Sequence, residues 1–268
     1  MLRKAVDAGA DVVVYDLEDA VVPSRKGEAR TAVRDLLTDA SFDPRCSVTV
    51  RVNPVGAGGG ADVEAICEGE TQPHLDGVMV PKVESATDVE AVAKRLPAHT
   101  VEPTLYALIE SARGVLAAAE IAAVSDVLVF GAEDLAADLG ATRTDEGFEV
   151  TYARQRVVVA AAAYGIDAID TLVTDYDDLD LIRADAERSV QLGFDGKLAI
   201  HPSQVGPINE AFTPTADELE WAERVLAATR RAHAEDRGVF EVDGEMIDAP
   251  LIRQAERILD RAGVTDDG

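Results

Sequence analysis

Residues 104–140 read TLYALIESARGVLAAAEIAAVSDVLVFGAEDLAADLG, and this stretch decides the fold. TLYALI at 104–109 and DVLVFG at 126–131 are nearly continuous apolar runs of strand length, as expected of strands buried on both faces of a parallel sheet. Between them, ARGVLAAAEIAAV at 112–124 has the spacing of an amphipathic helix. Each apolar run stops at acids: Glu110 after the first, Glu133 and Asp134 just past the second.

The same unit recurs outward in both directions. VVVYD at 12–16, SVTVRV at 47–52, GVMVP at 77–81, IDAID at 166–170 and GKLAIH at 196–201 are further strands. ATDVEAVAKRL at 86–96 places Val89, Val92, Ala93 and Leu96 on one helical face, and YARQRVVVAAAAYG at 152–165 is a helix stopped by Gly165. Strand–helix alternation of this length is either a TIM-type (β/α)8 barrel or a doubly wound sheet. Polar residues follow every strand: Asp16, Glu18 and Asp19; Arg51 and Asn53; Lys82 and Glu84; Glu110; Glu133 and Asp134; Asp170 and Thr171; His201. A barrel gathers all these strand ends on one face, whereas an open sheet uses mainly those beside its switch point. No strand is followed by a dinucleotide-binding glycine fingerprint, and GAGGG at 56–60 reads as a flexible loop. The reading is an α/β barrel over residues 1–211 with a C-terminal helical extension over 212–268. The strand count is seven and the chain opens inside a helix, MLRKAVDAGA, so the expectation is either a barrel that lacks its first strand or a native start upstream of Met1. In the extension, Thr215 and Glu218 mark a helix start by the capping-box pattern, and a hairpin-like piece precedes a final helix. The extension reads as too small for its own core.

Composition narrows the function classes. With 51 acidic and 25 basic side chains, the 268 residues carry a net charge of −26. Nucleic-acid backbones and anionic membranes would repel such a surface. No apolar stretch approaches the ~18–20 residues of a spanning helix. Two cysteines, Cys46 and Cys67, make no disulfide framework, which points to a reducing, cytoplasmic setting; both read as core or surface thiols. Only 5 of the basic residues are Lys against 20 Arg, and 29 of the acids are Asp. This balance reads as that of a halophilic protein, in which salt screens repulsion between surface carboxylates, in preference to an ordinary acidic one. The halophilic reading expects the melting temperature to fall on transfer from molar to millimolar KCl; an unchanged melting curve would refute it.

The strand ends suggest chemistry. Glu110 and Asp134 on adjacent strand ends can share a hard divalent cation such as Mg2+, with water and substrate oxygens completing its octahedron; alternatively Asp134 caps a helix and Glu110 is ion-paired. Arg51 is suited to clamping a substrate carboxylate, or to a structural ion pair. Lys82 and Lys197 are the rival centres, because a desolvated lysine at a barrel mouth can form a Schiff base. His201 is either a base or a structural histidine.

VVVYDLEDAVVPSRKGEAR, RVNP, GVMVPKVESATDVEAV, LIESARGV, FGAEDLAADLG and GKLAIHPSQV together resemble the citrate lyase β-subunit-like family. That branch of the HpcH/HpaI aldolase superfamily includes malyl-CoA, β-methylmalyl-CoA and citramalyl-CoA lyases and a malyl-CoA thioesterase. The resemblance implies a homotrimer, or a dimer of trimers, that uses Mg2+ to make or break a C–C bond between an acyl-CoA and a 2-oxo acid. It places Mg2+ on Glu110 and Asp134 and the oxo-acid carboxylate on Arg51. Glu18 and Asp19 would accept hydrogen bonds from metal-bound water, and Lys26 and Arg30 would lie near the coenzyme A phosphates. The string Gly244-Glu245-Met246-Ile247-Asp248-Ala249-Pro250 matches the family's G-x-M-I-D-x-P, which makes Asp248 the candidate general acid/base reaching a neighbouring subunit's site; its other reading is the N-cap of the last helix. Members usually begin with a strand, roughly R-S-x-L-F-V-P-G, that is absent here. A longer native chain, a sealed edge or changed ligand use is therefore expected. The alternatives within the resemblance are a thioesterase on the same site, a class II aldolase acting without coenzyme A, and a citrate lyase β-subunit-type component.

Overall fold

The computed structural model describes residues 2–68, 74–96, 103–234 and 237–263. Seven parallel strands form one sheet in strict sequence order: β1 (Val12–Asp16), β2 (Ser47–Arg51), β3 (Gly77–Val80), β4 (Thr104–Ile109), β5 (Val127–Phe130), β6 (Asp167–Asp170) and β7 (Gly196–Lys197). The helices preceding and connecting them are α1 (Leu2–Ala5), α2 (Lys26–Leu37), α3 (Gly59–Ile66), α4 (Ala86–Ala93), α5 (Ala112–Ala122), α6 (Ala132–Leu139), α7 (Thr151–Tyr164) and α8 (Leu179–Leu192), with α9 (Pro202–Phe212) after the last strand. No helix among the described residues is long and apolar enough to cross a membrane.

Strand alternation separates two apolar layers. Val48 and Val50, Val78 and Val80, Ala107 and Ile109, Leu128 and Phe130 pack with helix residues such as Val89, Val115, Ile121 and Val157. The alternate positions Met79, Leu108, Val127 and Val129, with Val14, Tyr106 and Ile169, form a second cluster made of sheet residues. Helices thus cover one face while the other curls onto itself, which is the barrel solution and not the doubly wound one. Among the described residues, β1 and β7 each have one neighbour, so the curled sheet has seven strands and stays open between them.

Two sequence expectations need correction. GAGGG is not a flexible loop: Gly59 and Gly60 open α3. Gly58 takes φ 113°, and a Cβ on Gly59 would lie 2.1 Å from the Asn53 carbonyl oxygen. Glycine there permits a backbone contact that any side chain would block. GKLAIH contributes only two residues of strand, because the Gln204 side-chain oxygen accepts the N–H groups of Ile200 (2.7 Å) and His201 (3.1 Å) and turns the chain into α9.

The chain divides into two compact units, one up to Ile208 and the other from Asn209. The second holds α10 (Ala216–Ala234), the hairpin β8 (Phe240–Val242) and β9 (Glu245–Ile247), and α11 (Ala249–Arg261). Thr215 and Glu218 exchange the bonds of a capping box. The hairpin turns at Asp243 (φ 52°) and Gly244 (φ 86°), the pairing that an Asp-Gly turn favours. Contrary to the sequence reading, this unit has its own apolar cluster, which includes Ala222, Val225, Val242, Ile247, Ala255 and Ile258.

Candidate active site

The alternation that builds the core also aims the polar strand ends. Val14 lines the curled interior, so Asp16 two residues on does too, and Arg51 is its register partner on β2. On β4, Tyr106 and Leu108 face inward, which carries Glu110 to the same mouth. Beyond the strands the ladder continues: Leu17 donates to the Arg51 carbonyl (2.8 Å), Val52 to Met79 (3.1 Å) and Gly131 to Ile109 (3.0 Å). The loops bearing the site therefore start from fixed backbone.

Arg51 forms a bidentate pair with Asp16, Nε to Oδ1 at 2.9 Å and Nη2 to Oδ2 at 2.6 Å. Asp16 also accepts the backbone N–H groups of Glu18 (2.7 Å) and Ala20 (3.0 Å), fixing the loop that carries Glu18 and Asp19. Burial raises the Asp16 pKa, but the Arg51 guanidinium and these amides outweigh it and hold the carboxyl below its ordinary value. The structural ion pair considered for Arg51 is thus present, and N–H groups on Nη1 and Nη2 remain beyond it. Nη1 lies 3.2 Å from Glu18.

Glu18 is buried, and neither carboxylate oxygen has a hydrogen bond of good geometry. Its ionic neighbours are Arg51 and the Lys82 ammonium, 3.0 Å from Oε1. Burial, with the charge of Asp19, raises its pKa against the pull of both cations. Lys82 takes a left-handed backbone (φ 52°), uncommon outside glycine. That conformation gives its N–H to Glu110 Oε1 (2.8 Å) while its ammonium lies 4.0 Å from Asp19 and 3.7 Å from Asp134.

Glu110 is the most perturbed acid of the site. Burial and the charges of Asp134 and Glu18 push its pKa up to about 7, against the Lys82 amide and ammonium. Four carboxylates, Glu18, Asp19, Glu110 and Asp134, thus surround one lysine. Among the described residues no set of three or more His, Cys, Asp or Glu side chains makes a ready metal cage. Two carboxylates leave most of an octahedron to oxygens from water and substrate, the usual situation for Mg2+. A divalent cation would also offset the burial and the repulsion that together raise Glu110. The site's donor set and excess negative charge fit that ion.

The rival lysine chemistry does not fit. Burial lowers the Lys82 pKa, but its ion pair with Glu18 and the charges of Asp19 and Asp134 outweigh this and raise it, opposite to what a Schiff-base amine needs. The Lys197 side chain is fully buried and is paired with Asp185. His201 is exposed, with Nδ1 2.7 Å from Ser203 Oγ and its ring stacked on Tyr176.

The other expected residues occupy distinct places. Lys26 Nζ donates to the carbonyls of Leu17 (2.7 Å) and Glu18 (2.5 Å) and to Asn53 Oδ1 (2.8 Å), so it ties down the acidic loop. Arg30 is held by Asp62 at 2.6 Å, with Nη2 beside the glycine turn at Gly58. Asp248 lies in the second unit, exposed at the start of α11, and its side chain makes no capping bond there.

Sequence reading singled out Asp16 and Asn53 only as polar strand-end residues and missed Asp62, which accepts the backbone N–H of Asn53 and one from its side-chain amide, at 2.6 Å each, while that amide also donates to the Leu17 carbonyl. For Asp16 the signal was its matching position with Arg51 at the ends of consecutive strands; for Asp62 there was none. It also placed Asp170 at the mouth. Asp170 shares the face of Ala168, which packs in the helix layer, and pairs with Arg154 there.

Residues 1–202 match the HpcH/HpaI aldolase/citrate lyase family. The chain is similar to a solved structure of protein CitE from Mycobacterium tuberculosis in complex with magnesium, acetoacetate and coenzyme A, with TM-score 0.80 and 38% identity over 97% of this chain and 92% of that one. It is 36% identical to a (3S)-malyl-CoA thioesterase of Cereibacter sphaeroides, covering 97% of this chain and 90% of that protein. It is 32% identical to the mitochondrial citramalyl-CoA lyase of Rattus norvegicus, covering 96% and 81%. A curled seven-stranded sheet with acids gathered at its mouth, together with likeness of this extent, has one conclusion: the chain belongs to the HpcH/HpaI aldolase/citrate lyase family.

Proposed function

We propose that this chain is a Mg2+-dependent carbon–carbon lyase. Its substrate class is a 3-hydroxyacyl-CoA of malyl-, citramalyl- or β-methylmalyl-CoA type, cleaved to or formed from an acyl-CoA and a 2-oxo acid such as glyoxylate or pyruvate. The observation that carries the reading is Glu110, a buried carboxylate pushed to about 7 by its surroundings and set beside Asp134 at the mouth of the sheet. Support comes from the relatives named as a lyase and from the solved neighbour that holds magnesium and coenzyme A.

Glu110 and Asp134 would hold Mg2+, whose charge would polarise the oxygen that becomes the oxo-acid carbonyl. Arg51, fixed in orientation by Asp16, offers the N–H groups that Asp16 does not take to the substrate carboxylate. Glu18 and Asp19 line the same mouth and would accept hydrogen bonds from water around that ion. In cleavage the bond between the hydroxyl-bearing carbon and the thioester α-carbon breaks, and its electron pair passes to a thioester enolate. Asp248 returns to the α-carbon a proton equivalent to the one the hydroxyl loses; in synthesis it removes that proton. We assign Asp248 to the site of a neighbouring subunit in a homotrimer, consistent with an exposed carboxylate that makes no capping bond. Lys26 holds the acidic loop, and Arg30 beside the glycine turn is left as the cation for coenzyme A phosphate.

The test incubates the protein with Mg2+, KCl and each of the three CoA thioesters, following oxo acid and free thiol separately. Oxo acid without thiol is the expected result, and Asp248→Asn should abolish it while leaving Mg2+ affinity intact. Thiol without oxo acid would favour the second reading, a thioesterase on the same site, for which the Cereibacter sphaeroides relative speaks.

Gly131 supplies a further check. A Cβ there would lie 2.7 Å from Glu110 Cβ and 2.9 Å from its Oε2. Gly131→Ala should displace that carboxylate and raise the Mg2+ concentration for half-activation at least about tenfold. An unchanged Mg2+ dependence would separate Glu110 from the metal.

A further inference from the structure

Behind the site lies a second polar cluster that the proposed reaction does not use. Arg154 on α7, Asp170 at the end of β6, Asp185 and Ser189 on α8, and Lys197 on β7 are all buried or nearly so, with side-chain exposure from 0% to 10%. Arg154 pairs with both oxygens of Asp170 and, at 3.2 Å, with Asp185. Ser189 donates to Asp170 Oδ2 at 2.6 Å, and Lys197 pairs with Asp185. Four buried charges are a poor way to gain stability, because desolvation offsets most of their attraction. Such a cluster is better suited to holding one geometry.

Its output is Thr171. The backbone N–H of Thr171 donates to Asp170 Oδ1 at 2.8 Å, and its carbonyl accepts from Lys197 Nζ at 2.6 Å. Clamped at both ends, Thr171 presents Oγ1 to the N–H of Ala132 at 3.0 Å. Ala132 is the first residue of α6, whose N-cap is Gly131 and offers no side chain to cap it. Asp134 stands two residues on in the same first turn. At the other end of α6, Asp138 accepts the N–H of Ala112 at 2.8 Å, tying the helix to the segment that follows Glu110. The helix start carrying Asp134 is thus fixed by a hydroxyl from the next strand, itself held by the buried charges.

We infer that Thr171, clamped by the Arg154–Asp170–Asp185–Ser189–Lys197 cluster, is a positioning residue that sets Asp134 against Glu110 for the shared cation. The inference rests on the metal reading given above and deepens it.

Calorimetric titration of the purified full chain with MgCl2 tests it. Thr171→Val, which keeps the shape and removes the acceptor, should weaken Mg2+ binding by about 10–100-fold, and Thr171→Ser should restore it. Ser125→Ala removes another buried hydroxyl, one bonded to Ile121 within α5's last turn, and should leave Mg2+ affinity unchanged whatever it does to melting. Should Thr171→Val fail to fold, Thr171→Ala, which leaves room for a water, replaces it with the same expectation. Wild-type Mg2+ affinity in Thr171→Val or Thr171→Ala overturns the inference, as does equal weakening in Ser125→Ala. Glu110→Gln and Asp134→Asn separate the two levels: if they lose Mg2+ binding while the Thr171 variants keep it, the metal reading stands and the positioning role falls. If they too bind Mg2+ as wild type does, the metal reading fails and takes the inference with it.

Discussion

Glu110→Gln should lower turnover of the CoA thioester by about a thousandfold or more, corresponding to roughly 4 kcal/mol of lost barrier lowering. Glutamine keeps the size of the side chain and an acceptor for the Lys82 N–H, so the change removes charge and little else. The same variant should be no less stable than the wild type, and the sign can be worked out. An acid whose folded pKa is raised from 4.5 to about 7 destabilises the fold as pH rises from the unfolded value through the folded one. Below pH 4.5 it has no effect; above about 7 the full penalty applies, roughly 3 kcal/mol. In metal-free buffer the wild type should therefore lose ground to Glu110→Gln between pH 5 and 8. Added Mg2+ should recover that loss in the wild type alone. Melting curves at the two pH values, with and without Mg2+, check it; a variant that melts lower at pH 8, or that still responds to Mg2+, contradicts the assignment. Activity and stability pull in opposite directions at this residue because a carboxylate buried beside other carboxylates costs the fold what a bound cation would recover.

Asp170→Asn should destabilise the fold by about 3–5 kcal/mol or roughly 10 °C in melting temperature. Asp170 is fully buried, and Asn leaves the Arg154 guanidinium without its full counter-charge where water cannot replace it. Asp19→Asn is the control: Asp19 is exposed, and its contact with Lys82 is 4.0 Å, so the change should stay within about 0.5 kcal/mol. Asp185 adds a pH signature. Burial raises its pKa, but Lys197 and Arg154 outweigh this and hold it below the ordinary value of 3.8. Its stabilisation is whole above that value and is lost as pH falls below it through the depressed folded pKa, so the pair-rich end of the sheet should contribute to acid unfolding below about pH 4. Urea melts at neutral pH and through the acid range read both effects. A loss below 1 kcal/mol in Asp170→Asn would mean that the cluster is hydrated in solution.

Much of the site was legible because strands obey a period of two. Given the strand ends, alternation from Val14 to Asp16 and from Leu108 to Glu110 aims these carboxylates at one mouth, and Arg51 follows by register. The same rule, applied to Asp170, would have sent it to the helix layer beside Ala168. Grouping it with the mouth ignored that parity. Lys82 was visible as a lysine at a strand end, but not its left-handed backbone, which no local residue type requires and which lets one residue serve Glu110 with its amide and Glu18 with its ammonium.

What the order of residues settled is the architecture: apolar runs of strand length, helices between them, seven repeats and acids at the strand ends admit few arrangements, because burial on both faces is demanded locally by each run. The motifs along it settled the family. Only the tertiary structure decided which charges act as pairs. Asp16 with Arg51, Asp62 with Asn53, and Arg154 with Asp170 and Asp185 lie 9 to 35 positions apart in the chain, and a side chain's pKa depends on what surrounds it in space. The elevation of Glu110, the pairing that withdraws Lys197 from chemistry, and the glycine contact that turns GAGGG into a helix start are all such effects of proximity, set by packing and invisible along the chain.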